Sequence, residues 1–123
     1  ARGNQSTVDG LIKVLLLFKK ELEDGRIQVH VGDDRQLLAT FPEKYFDWVY
    51  IDTTHTYEHT KQELQILTEK VKDNGVIAGD DWRPDPSHQH HGVYIAINEF
   101  IAAENYRLIY SNKDNLQWAI VKS

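Results

Sequence analysis

The sequence predicts an α/β domain: an open, mostly parallel sheet with helices on both faces, closed by an antiparallel hairpin. Three observations carry this reading. Helical and strand periodicities alternate along the chain. Phe46–Ile51 and Val76–Ala78 are nearly continuous in apolar residues, as buried parallel strands are. The last two strand segments are joined by the short link Ser111–Asn115, too short for a parallel crossover.

With 123 residues, 41% hydrophobic and 27% charged, the chain suffices for one domain with a modest core, and residues 1–123 read as that one domain. No apolar run approaches the ~20 residues a membrane span needs. A net charge of −5 runs against a nucleic-acid partner, which favours a basic face. The absence of cysteine excludes disulfides and thiolate chemistry and makes a cytoplasmic setting the expectation. There is no methionine either, so the chain is expected to be a segment of a longer protein or to carry a processed N-terminus.

Taken in order, Ser6 or Thr7 is expected to cap a helix whose apolar face is Val8, Leu11, Ile12, Leu15, Phe18 and Leu22, stopped at Gly25. Ile27–Val31 alternates as a strand does and ends at Gly32-Asp33-Asp34. Arg35–Phe41 reads as a short helix closed by Pro42. Phe46–Ile51 reads as a central strand ending at Asp52, and Tyr57–Val71 as a long helix broken by Asn74-Gly75. Val76–Ala78 is a short strand ending at Gly79-Asp80-Asp81. Trp82–His91, with two prolines and three histidines, reads as a loop over the cleft. Gly92–Glu104 is helical, and Tyr106–Tyr110 and Leu116–Val121 form the hairpin.

Ligands of open α/β sheets bind beyond the carboxyl ends of the strands. Three successive strand ends here are acidic: Asp33-Asp34, Asp52 and Asp80-Asp81. Each alone reads equally well as a helix cap or a solvated group. Together they repel, and a bound cation relieves the repulsion. Asp52, Asp80 and Asp81 come from strands expected to be neighbours and could share one hard divalent ion, magnesium, calcium or manganese, because their ligands are all oxygen. His55, three residues after Asp52, is placed to act as a general base, with a surface or capping role as its alternative. His88, His90 and His91 read as solvated loop residues.

These residues also resemble a family. Phe46–Tyr57 (FDWVYIDTTHTY) is similar to the "fDlvyIDGxHxY" segment of class I S-adenosylmethionine-dependent methyltransferases. Asn74–Trp82 (NGVIAGDDW) resembles its "pGGvivgdDw", Gly92–Phe100 its "GVxxAvxeF" helix, and Val31-Gly32-Asp33-Asp34 its "hxGDs" strand end. The branch that looks closest methylates hydroxyls of sugars, macrolides and other secondary metabolites, and cephalosporin-hydroxylase-like proteins are similar. The resemblance implies a Rossmann-like fold and S-adenosylmethionine as cofactor, with Gly32, Asp33 and Asp52 on the cofactor side. It implies Mg2+ held by Asp52, Asp80 and Asp81, with His55 as base. The acceptor it implies is a small-molecule hydroxyl.

Two departures stand out. Thr53 replaces the usual glycine, and no Gly-x-Gly-x-Gly turn occurs, so the first two strands of the fold are expected to be missing. In the family those strands lie between the ones matching Ile27–Val31 and Phe46–Ile51. Their loss should lead those two segments to pair directly or leave open edges that favour a homo-oligomer. A non-catalytic binding or regulatory module is the alternative. A phosphoacceptor receiver domain fits less well, because only one short helix separates Asp33-Asp34 from Asp52.

Overall fold

A computed structural model describes residues Arg2–Ser123, with side chains from Val8 onward. The chain divides into two compact units, Ala1–Gly32 and Asp33–Ser123.

The first unit is helical. Helix α1 (Arg2–Leu17) is followed by α2 (Lys19–Glu23), with Phe18 (φ −109°) at the break between them. The helix is already under way at Ser6 and Thr7, so neither caps it, and their side chains lie outside the described residues. Gly25, at φ +81°, ends the helical run as expected, because this left-handed conformation costs glycine nothing. The strand expected at Ile27–Val31 does not form. Alternation alone cannot hold a strand without a ladder partner for its backbone, and Val31 is 80% exposed.

The second unit holds the sheet. Short helix α3 (Asp34–Ala39) precedes strand β1 (Phe46–Ile51), helix α4 (Tyr57–Lys70), strand β2 (Val71–Gly79), helix α5 (His91–Glu104) and strands β3 (Tyr106–Ser111) and β4 (Trp118–Lys122). The sheet order is β1-β2-β4-β3. β1 and β2 are parallel, while β4 runs antiparallel to both β2 and β3. The fold is therefore the Rossmann-like α/β arrangement with a closing hairpin. Helix α4 needs no glycine stop at Asn74-Gly75: its last turn passes straight into β2, with a register shift against β1 between Phe46 and Trp48. Among the described residues β1 pairs only with β2, so it is an edge strand there rather than a central one. Its Trp48 and Tyr50 are 68% and 47% exposed.

One apolar core lies between the sheet and the long helices. Ile51, Ile77, Trp118 and Ile120 from the strands meet Leu64 and Leu67 of α4 and Val93, Ile97 and Phe100 of α5. The register explains the set: Ile77 stands beside Ile120, and Ile51 shares Gly79's row with Trp118. Gly79 is required there, since a Cβ would lie 2.6 Å from the Trp118 ring and 2.7 Å from the Ile51 carbonyl. Among the described residues no helix is long and apolar enough to cross a membrane.

At the far end of the strands, Asp73 accepts from Lys44 (2.8 Å) and Lys122 (3.2 Å), joining the entry to β1 with β2 and β4. The two lysines, Lys44 first, hold its carboxyl below its ordinary value of 3.8.

Two outcomes follow. Gly79→Ala is expected to destabilise the unit by about 1–3 kcal/mol through overpacking, read by urea denaturation. Asp73→Asn is expected to lower the thermal midpoint slightly near neutral pH. Because the folded carboxyl titrates below the unfolded one, this contribution is present above pH 3.8 and fades as pH falls through the depressed value, so the two proteins should converge in acid.

Candidate metal and proton-transfer site

Parallel pairing brings the carboxyl ends of β1 and β2 to the same rim. Asp52 leaves β1 there, and Asp80 and Asp81 leave β2, with the Asp80 N–H donating to the Ile51 carbonyl (3.2 Å). Carboxylate oxygens of Asp52, Asp80 and Asp81 all lie within 4.8 Å of one another. They are graded in depth: Asp52 is exposed, Asp80 half-buried and Asp81 buried. With His55 and Thr60 they line a cavity of about 10 Å³, the size of one water or ion.

Two backbone distortions aim this site. His55 (φ +64°) and Asp81 (φ +69°) both sit in the left-handed region, which non-glycine residues seldom occupy without support from their surroundings. The turn at His55 swings its Nδ1 against Asp81 Oδ2 and leaves Nε2 3.8 Å from Asp52 Oδ1. Thr56 then caps α4, accepting from the His59 N–H at 3.2 Å.

Asp81 is the electrostatic centre. Its side chain is 4% exposed. Burial acts to raise its pKa, but the Arg83 hydrogen bond (Nε to Oδ1, 3.1 Å) and the His55 and His90 imidazoles outweigh burial, and the carboxyl is held below its usual range. Asp81 Oδ2 is buried, and the polar group nearest to it is His55 Nδ1.

Several contributors were not legible in the sequence. His90, read there as solvated, stacks on His55 with ring centroids 4.5 Å apart and places Nδ1 3.4 Å from Asp81 Oδ1. Gln117 Nε2 donates to Asp80 Oδ1 at 2.8 Å and its Oε1 accepts from the Tyr50 hydroxyl. Trp118 Nε1 donates to the Asp80 carbonyl at 2.8 Å. His88 packs edge-on to His90, and His91 Nδ1 lies 2.7 Å from the Arg83 carbonyl, so both support the loop.

The first acidic pair takes no part in this cluster. Without a strand ahead of it, Asp33 is the N-cap of α3, accepting from the Arg35 N–H at 2.9 Å. The Arg35 side chain also engages it, and these bonds hold the carboxyl down to about 2. Gly32 closes the first unit at φ +150°.

A family model described as a methyltransferase domain matches residues 5–82, and the chain belongs to that family. A search of curated proteins returns no match to it.

The left-handed turn gives a direct test. His55→Gly is expected to be more stable than His55→Ala by about 1 kcal/mol, because only the alanine retains the Cβ that this conformation disfavours. Equal thermal midpoints for the two would show that the turn carries no strain.

Proposed function

We propose that this chain supplies the metal- and acceptor-binding side of an S-adenosylmethionine-dependent O-methyltransferase acting on a small-molecule hydroxyl. Membership of the methyltransferase family supports methyl transfer. The observation that carries the finer reading is the convergence of the Asp52, Asp80 and Asp81 carboxylates beside His55 at the rim.

The residues present fit a hard divalent ion. The donor set is oxygen-only: carboxylate oxygens of Asp52, Asp80 and Asp81 lie within 4.8 Å of one another, and Asp81 is buried. Magnesium held by Asp52, Asp80 and Asp81 would supply Lewis-acid stabilisation of negative charge on the acceptor oxygen. Gly32, Asp33 and Asp52 are assigned to the cofactor from the sequence resemblance alone, and the glycine-rich turn does not occur among these 123 residues. S-adenosylmethionine brings an already activated methyl group.

What remains for the protein is orientation and proton removal. Asp81, facing His55 Nδ1, favours the tautomer with the proton on that nitrogen. Nε2, on the side of Asp52, would then take the hydroxyl proton while the oxygen bonds the methyl carbon, the carbon–sulfur bond breaks and S-adenosylhomocysteine leaves. The His90 ring, stacked on His55, keeps the imidazole from turning away. Gln117, itself held by Tyr50, fixes Asp80 in the same way.

The test is transfer of a labelled methyl group to a panel of vicinal diols and sugar hydroxyls, with and without EDTA. Loss of activity in EDTA and recovery with Mg2+ are expected, and activity that survives the chelator removes the ion from the reaction. His55→Ala is expected to lower turnover by about 10²–10⁴-fold, and unchanged turnover removes the base. Gln117→Ala is expected to weaken Mg2+ binding by about tenfold or more, as loss of a ligand's supporting hydrogen bond does, measured by calorimetry.

A further inference from the structure

A second cluster of metal-ligating groups lies between α3 and α4, among residues that the rim site does not use. His59 and Glu63, one turn apart, project from the same face of α4. His59 Nε2 is 2.8 Å from Asp34 Oδ1 and 3.6 Å from Glu63 Oε2. His59 Nε2 therefore lies between the Asp34 and Glu63 carboxyls. Asp33, Asp34 and His59 together offer ligand atoms within 4.8 Å of one another, but Asp33 is already forked by Arg35.

Glu63 is the unusual member. It is 1% exposed, Oε2 accepts from Thr53 Oγ1 at 2.8 Å, and no donor among the described residues reaches Oε1. A buried Glu63 beside the half-buried Asp34 cannot stay charged without a positive partner. Burial first, and the Asp34 carboxyl second, push the Glu63 pKa up to about 9. For Asp34, burial is opposed and outweighed by hydrogen bonding from Glu63 and His59, and its pKa falls. One proton shared by the pair relieves the conflict, and so does one dication. The His59 nitrogen, within contact of both carboxylates, favours the dication.

We propose that Asp34, His59 and Glu63 form a second divalent-metal site, selective for a borderline transition ion such as Zn2+, that pins α3 to α4. Two carboxylates and one imidazole give a mixed oxygen–nitrogen set, which suits zinc, whereas the oxygen-only rim set suits magnesium. The proposal is independent of methyl transfer. It also accounts for Thr53 where the family pattern has glycine: its hydroxyl holds one Glu63 oxygen in place.

The experiment is calorimetric titration of the chelator-stripped full chain with Zn2+, paired with thermal melts and with the visible spectrum of the Co2+ form. Wild type is expected to bind one Zn2+ at micromolar concentration, to melt at a higher temperature when loaded, and to give a Co2+ spectrum of mixed oxygen–nitrogen ligation. Glu63→Gln, which keeps the shape and the Thr53 contact, and His59→Ala should each weaken binding at least tenfold. Asp81→Asn and His90→Ala should leave it unchanged. No Zn2+ binding by the wild type would show that a proton alone holds Glu63 and would overturn the site. So would binding that survives Glu63→Gln and His59→Ala, or that is lost with Asp81→Asn or His90→Ala, since the ion would then sit among His55, Asp81 and His90.

Discussion

The parallel ladder between β1 and β2 is the constraint on which the rest depends. It sends both strands out at the same edge, so the residues that follow them, Asp52 and Asp80-Asp81, meet there. The ladder in turn depends on Gly79. A side chain at that position would strike the Ile51 carbonyl and the Trp118 ring. Trp118 closes over the missing side chain and hydrogen-bonds the Asp80 carbonyl, so core packing and placement of the acids are one interaction.

The rim concentrates unfavourable features that a folded chain keeps only where its surroundings impose them. His55 and Asp81 adopt left-handed backbone, and Asp81 is a buried carboxylate held against His55. Arg83 and His90 lie against one oxygen of that carboxylate and His55 against the other. The same logic recurs between α3 and α4, where Glu63 is buried against Asp34 and His59. In both places carboxylates are gathered beside histidines at a strand end or a helix contact.

Element type was well marked in the sequence where tertiary context agreed with local pattern. The apolar run Phe46–Ile51, the helical spacing of Leu64 and Leu67, and the short link after Ser111 all led to the observed elements. Ile27–Val31 was misread because alternation marks a segment able to pair and does not supply its partner. Phe46–Ile51 reads as central because Trp48 and Tyr50 are apolar, yet both stand on an edge strand and are substantially exposed. Asp33, one of three similar acids by position, caps a helix, because no strand precedes it to carry it to the rim.

What the sequence by itself determined is the alternating α/β order, the acids that end β1 and β2, and a histidine one short turn beyond the first of them. These depend on local periodicity and on residues close together in the chain. What only the tertiary structure decided is which acids meet, how deeply each is buried, and which distant side chains hold them. Gln117 reaches Asp80, His90 covers His55, and Thr53 secures Glu63 through sheet register and helix packing. Such contacts join residues ten to almost forty positions apart, and local pattern carries no information about them.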